Sequence, residues 1–106
     1  METQHFDVLV LGSGTAGSNA ARAAAKAGAA HVAMIQPTNL INTCVEEGCM
    51  PSKSILAGAH AHESLAEDET TRNAHIDRLR NALTESFTSE AFSIISGVAR
   101  FVDNNT

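Results

Sequence analysis

Residues 12–17 read Gly-Ser-Gly-Thr-Ala-Gly, and what flanks them leaves few folds open. Before them stands Phe6-Asp-Val-Leu-Val-Leu11, an apolar run interrupted only by Asp7. That pattern suits a strand buried on both faces of a parallel sheet. After them, the alanine-rich stretch from Ala16 to Ala27 predicts a helix ended by Gly28. His31-Val-Ala-Met-Ile-Gln-Pro37 predicts a second short strand, stopped by Pro37. Strand, glycine turn, helix and strand within about 30 residues make a βαβ unit, whose crossover is almost always right-handed. In such a unit Gly12 permits the tight turn, Gly14 lets a pyrophosphate approach the backbone, and Gly17 lets helix and strand pack closely. The helix N-terminus adds free N–H groups and a positive dipole end. A glycine-rich turn without a ligand is the plain alternative, and the strand and helix on either side weigh against it.

One position departs from the pattern. The second strand of such a unit normally ends on an acidic residue that accepts two hydrogen bonds from a ribose, and here Gln36 stands there. An amide offers one acceptor oxygen, so the grip is weaker. Residues 36–42, Gln-Pro-Thr-Asn-Leu-Ile-Asn, hold no arginine of the kind that accompanies a phosphorylated ribose. The glycine motif therefore does not choose between adenine dinucleotides.

The chain has two cysteines, Cys44 and Cys49, followed by Pro51-Ser52-Lys53. In a regular helix, residues five apart have Cα atoms roughly 8.7 Å apart, beyond the roughly 7 Å a disulfide tolerates. A bonded pair therefore needs a distorted segment, for which Gly48 is the natural place. Such a small ring removes little unfolded-state entropy. A bond that stabilises little is more plausibly one made and broken in function. Two other readings stay open at this point: two independent buried thiols, and a zinc site that adds His60 and His62.

The compartment bears on that choice. No apolar run approaches the roughly 18 residues of a membrane span. The N-terminus lacks the basic region and cleavage site of a signal peptide. The expectation is a cytoplasmic protein with no membrane partner, in a reducing compartment where cysteine pairs are redox-active or metal-binding more often than structural. With a formal charge of −5 and scattered basic residues, no nucleic-acid footprint is visible. At 106 residues the chain is shorter than an average domain.

Downstream, Pro51 predicts the first turn of a helix running to about Glu67, with residues 67–73, Glu-Asp-Glu-Thr-Thr-Arg-Asn, as a polar connector. Ile76, Leu79, Leu83 and Phe87 mark the apolar stripe of a second helix. Residues 92–102 predict a strand, and Asp103-Asn-Asn-Thr106 a turn. His5, His31 and His75 have no partner that the sequence names and read as solvated or capping residues; His60 and His62 read as surface positions.

The glycine motif at the extreme N-terminus, the second strand, and C-x₄-C-x-P-S-K together closely resemble the N-terminal FAD domain of the pyridine nucleotide-disulfide oxidoreductases. Dihydrolipoamide dehydrogenase, glutathione reductase and mercuric reductase belong to that group. The resemblance runs over nearly the whole chain and implies an α/β, Rossmann-like FAD-binding domain, apparently truncated, spanning residues 1–106. It implies that Cys44 is the interchange thiol and that Cys49 lies against the flavin and exchanges electrons with it. Lys53 would sit near flavin N5, Gly12, Gly14 and Gly17 would hold the FAD pyrophosphate, and Gln36 and Thr43 would lie toward the cofactor. It further implies a longer homodimeric parent that passes electrons between NAD(P)H, FAD and the cysteine pair, with a disulfide or metal substrate. The 106-residue chain alone is then expected to be inactive, and a stand-alone dithiol or nucleotide-binding module is the alternative. Ile41, Asn42 and Thr43 stand where the family usually has Gly-Gly-Thr, and Glu46 where it usually has asparagine. A carboxylate beside a thiol should raise the thiol pKa.

Overall fold

The first half of the chain forms the expected crossover, β1 (Val8–Leu11), α1 (Thr15–Lys26) and β2 (Val32–Gln36), and β3 (Ser93–Ser96) joins on the other side of β2. The computed structural model describes residues 2–37, 41–88 and 90–106. Its residues fall into two units, Met1–Ile41 with Glu90–Thr106, and Asn42–Ser89.

In the first unit all pairings are parallel, with the register Leu11↔Ile35 between β1 and β2 and Ile35↔Ile95 between β2 and β3. Val32, Ala33 and Met34 of the central strand are buried, as an apolar run flanked on both sides should be. β1 departs from the expectation of burial on both faces. Its residues alternate between half-buried and exposed, with Leu9 47% and Leu11 46% accessible. The cause is one-sided cover: α1 packs over the face that carries Val10, close to Gly17, and leaves the Leu9 and Leu11 face open. Arg22 of α1 is ion-paired with Glu90 at 2.6 Å, just ahead of β3.

β3 is also shorter than the strand expected over residues 92–102. The Gly97 N–H donates to the Gln36 carbonyl at 2.9 Å, and Pro37 has no N–H to continue the ladder. Val98, Phe101 and Val102 consequently lie outside the sheet and exposed. The turn expected at the end of the chain is present as an Asx turn, the Asn105 N–H donating to Asp103 Oδ1 at 2.8 Å.

The second unit holds α2 (Thr43–Glu46), α3 (Cys49–His60) and α4 (Leu65–Thr88). Pro51 lies in the first turn of α3, as expected, but the boundary between the two long helices differs from the sequence reading. α3 stops at His60, His62 adopts a left-handed backbone (φ +57°), and the supposed connector 67–73 lies inside α4. The reason is a capping box in Ser64-Leu-Ala-Glu67. The Glu67 N–H donates to Ser64 Oγ at 3.3 Å, and the Ser64 N–H donates to Glu67 Oε2 at 2.9 Å.

α3 and α4 approach closely where Gly58 faces the buried Asp68; a Cβ on Gly58 would overlap the Asp68 carboxylate. One turn earlier on α3, Ser54 Oγ and His75 Nδ1 are hydrogen-bonded at 3.1 Å, so His75 is not the solvated residue expected. Of the predicted stripe, Phe87 is buried and Ile76, Leu79 and Leu83 are half-buried.

The Ser64 backbone N–H, then the Ser64 hydroxyl, hold the Glu67 carboxyl below its ordinary range. A carboxyl depressed in the folded state stabilises it above the unfolded pKa and stops doing so as pH falls through the folded pKa. Glu67→Gln is therefore expected to melt below wild type at pH 7, with the gap closing as thermal melts are taken toward pH 3. A gap independent of pH would reject the ionic box.

Candidate functional site

The three motif glycines are explained by three different causes. Gly12 has φ +108°, a conformation that disfavours any side chain, while its N–H donates to the Ile35 carbonyl at 2.9 Å. Gly17 is required by packing, because a Cβ there would overlap the Gly12 carbonyl oxygen. Gly14 is required by neither. It is the N-cap of α1 with φ −62° and ψ −178°, open to any residue, and a Cβ on it meets no protein atom within 4 Å. Glycine is favoured over alanine at an N-cap, and the open space at Gly14 also leaves its backbone accessible to a ligand.

The N-terminus of α1 has no side-chain cap and no acidic residue in its first turn, so its N–H groups and dipole are left for an anion. Ser13 is buried in the turn, and its hydroxyl donates to the Ile41 carbonyl. No local sequence signal announces that contact. Gln36 ends β2, and its side-chain Oε1 is buried without a hydrogen-bond partner among the described residues. An orphaned acceptor at that place suits a ribose hydroxyl.

In the second unit Cys44 and Cys49 are joined by a disulfide across a Cα–Cα distance of 4.7 Å. The distortion that the spacing demands is a break between two helices. α2 ends at Glu46, Glu47 and Gly48 leave helical geometry, and α3 starts at Cys49. Gly48 is tightly set, since a Cβ there would lie 3.1 Å from the Thr43 carbonyl oxygen. Cys49 is exposed and Cys44 half-buried, so this is not a pair of buried thiols. Both sulfurs are spent on each other, and no group of three or more histidine, cysteine or acidic residues is placed to hold a metal among the described residues. Thr43 is exposed on the first turn of α2. Lys53 is exposed one turn along α3 from Cys49, on the same helix face.

α2 is built around Asn42, whose Oδ1 accepts the Val45 N–H at 3.1 Å while its own N–H donates to Glu46 Oε2 at 3.3 Å. Glu46, the carboxylate that the sequence places beside the thiols, is ion-paired. Its Oε1 lies 2.7 Å from Nε of Arg80 on α4, which neutralises the charge locally. Arg80 was not among the residues that the sequence singled out.

A family model described as pyridine nucleotide-disulphide oxidoreductase matches residues 6–106. The chain belongs to that family. Among curated members, the chain is 34% identical to a mercuric reductase of Lysinibacillus sphaericus, over 96% of the chain and 22% of the reductase. It is 32% identical to a soluble pyridine nucleotide transhydrogenase of Marinomonas sp. (strain MWYL1), over all of the chain and 26% of the transhydrogenase. Among solved structures, it is similar to the Cu(II) complex of the HOCl-induced flavoprotein disulfide reductase RclA from Escherichia coli. That match has a TM-score of 0.85 at 28% identity and covers 96% of this chain and 24% of RclA. The chain thus spans about a quarter of the length of these relatives. No helix among the described residues is long and apolar enough to cross a membrane.

Proposed function

We propose that this chain is the FAD-binding, disulfide-bearing part of a flavoprotein disulfide oxidoreductase that uses NAD(P)H to act on a disulfide or a metal ion through Cys44 and Cys49. The reading is carried by the Cys44–Cys49 disulfide, set at the exposed first turn of α3 in a chain with a glycine turn. Gly12, Gly14, Gly17 and the N-terminus of α1 would hold the FAD pyrophosphate, with Gln36 accepting from the ribose and Thr43 and Lys53 toward the flavin. FAD, when bound, supplies two-electron carriage between nicotinamide and sulfur.

The sulfur chemistry belongs to the chain itself. In the reduced pair, the Cys44 thiolate attacks a substrate disulfide, forming a mixed disulfide and releasing one substrate thiol. The Cys49 thiolate then attacks the Cys44 sulfur, which releases the second thiol and re-forms the Cys44–Cys49 bond. The pair loses two electrons and the substrate gains them. The direction reverses with a dihydrolipoamide-like dithiol. Residues 1–106 form the partial FAD domain on this reading, and the longer parent is a homodimer working in the cytoplasm.

Air-oxidised protein should show no titratable thiol, and two per chain after reduction and desalting. Two free thiols in the air-oxidised protein would reject the redox pair. NADH or NADPH oxidation with FAD and disulfide acceptors should not rise above a Cys44→Ser control, because the one glycine motif is assigned to FAD. Saturable turnover above that control would show the 106 residues to be a complete enzyme.

A further inference from the structure

A helix of four residues cannot hold itself, since isolated helices shorter than about 12 residues are marginal in water. α2 is that short, yet it carries Cys44. The bonds between Asn42, Val45 and Glu46 shape α2 but do not anchor it to the rest of its unit. The disulfide ties it to Cys49 on α3, and the ion pair from Glu46 to Arg80 ties it to α4. Reduction cuts the first and leaves the second.

α4 is the shared platform for both cysteines. It holds α3, and with it Cys49, through the close approach of Gly58 to Asp68 and the Ser54–His75 hydrogen bond. It holds α2, and with it Cys44, through Arg80. The Glu46 side chain is only 9% exposed at that contact, so it is fixed against α4 and not free in solvent.

We propose that the Glu46–Arg80 ion pair is a positioning device for the redox pair. In the dithiol state it keeps the Cys44 turn docked on α4, and so keeps the two thiols within reach for re-forming the disulfide. The inference rests on the redox reading given under Proposed function. Glu46 and Arg80 act through the placement of Cys44, and neither is a catalytic residue. By linkage, whatever holds the dithiol in disulfide-ready geometry raises the effective concentration of one thiol at the other and favours the oxidised form.

The measurement is the equilibrium of the 106-residue chain with glutathione. Cys44–Cys49 takes two electrons and two protons from two glutathione thiols and becomes a dithiol, while one oxidised glutathione forms. Glu46→Gln and Arg80→Met should each lower the equilibrium constant for oxidising the pair by about fivefold, the upper range for a partly exposed ion pair. The double variant should match either single variant, and Arg80→Lys should lie close to wild type.

The two single variants separate placement from charge. Glu46→Gln leaves a cation that favours thiolate, and Arg80→Met leaves a carboxylate that disfavours it, so a purely electrostatic influence shifts the two in opposite directions. Loss of placement shifts them in the same direction. Opposite shifts, no shift, or additive effects in the double variant would each overturn the proposal. Far-UV dichroism of the oxidised forms checks folding. If Glu46→Gln fails to fold, Arg80→Met compared with Arg80→Lys still decides; if Arg80→Met fails to fold, Arg80→Gln takes its place. A wild-type chain that forms no intramolecular disulfide at any glutathione ratio removes the redox reading itself, whereas wild-type behaviour in both variants removes only this inference.

Discussion

Gly17→Ala is expected to destabilise the glycine-turn unit by about 3 kcal/mol, the upper range for overpacking a closely packed site. Its new Cβ would overlap the Gly12 carbonyl, a backbone group that cannot rotate away, and would press on Val10 Cγ1 at 3.4 Å. Small domains have about 5–15 kcal/mol in total, so this loss is a large share. Gly14→Ala is the contrasting case. The position has ordinary backbone angles and open space for a Cβ, so the loss should be about 1 kcal/mol, the cost of alanine at an N-cap. Its main effect should appear as weaker binding when FAD is titrated against flavin fluorescence. Similar melting losses for both variants would mean that Gly14 serves the fold, which would remove the main structural support for a ligand at the turn.

After reduction, Cys49 is expected to react with iodoacetamide about tenfold faster than Cys44 at pH 7, because the start of α3 favours its thiolate. Cys49 is the first residue of a twelve-residue helix, where the dipole favours thiolate, and Lys53 lies one turn away on the same face. Cys44 is half-buried on the four-residue α2, and burial works against its thiolate. Lys53→Met should narrow the ratio by about threefold, a loss of under 1 kcal/mol for one exposed charge. Peptide mapping of partially alkylated protein gives both numbers. Equal rates at the two cysteines would show that α3 does not activate its first residue. That result would weaken the assignment of Cys49 as the thiolate that faces the flavin.

The parts of this structure legible in the sequence are those fixed by near neighbours. The βαβ unit follows from an apolar run, three glycines and an alanine-rich helix within one short window. A helix break near Gly48 follows from the reach of a disulfide once Cys44 and Cys49 are taken as bonded, and the structure breaks at Glu47 and Gly48. The junction of α3 and α4 was equally local, written in Ser64 and Glu67, but polar residues 67–73 read as a connector because their helix shows an apolar stripe only from Ile76 onward. Other features depend on packing partners distant in sequence. Nothing near Glu46 points to Arg80, nothing near Ser13 points to the Ile41 carbonyl, and Gly58 gives no sign of the carboxylate that passes over it. The half-exposed β1 belongs with these. A strand's own residues state that it is apolar, but what covers each face is decided elsewhere.

That open face has a calorimetric consequence. Leu9 and Leu11 on β1 share a sheet face with Ile35 and Ile95, in line across the register, and with Phe6 and Phe101 they border an open groove. Unfolding normally raises heat capacity by about 12–15 cal/mol/K per residue, because apolar groups enter water for the first time. Here several of the largest apolar side chains of the first unit are already partly hydrated in the native state. Its heat-capacity increment should therefore fall below that range, which flattens the dependence of stability on temperature. With less apolar surface newly hydrated on unfolding, chilling should weaken this unit less than it weakens a fully covered sheet.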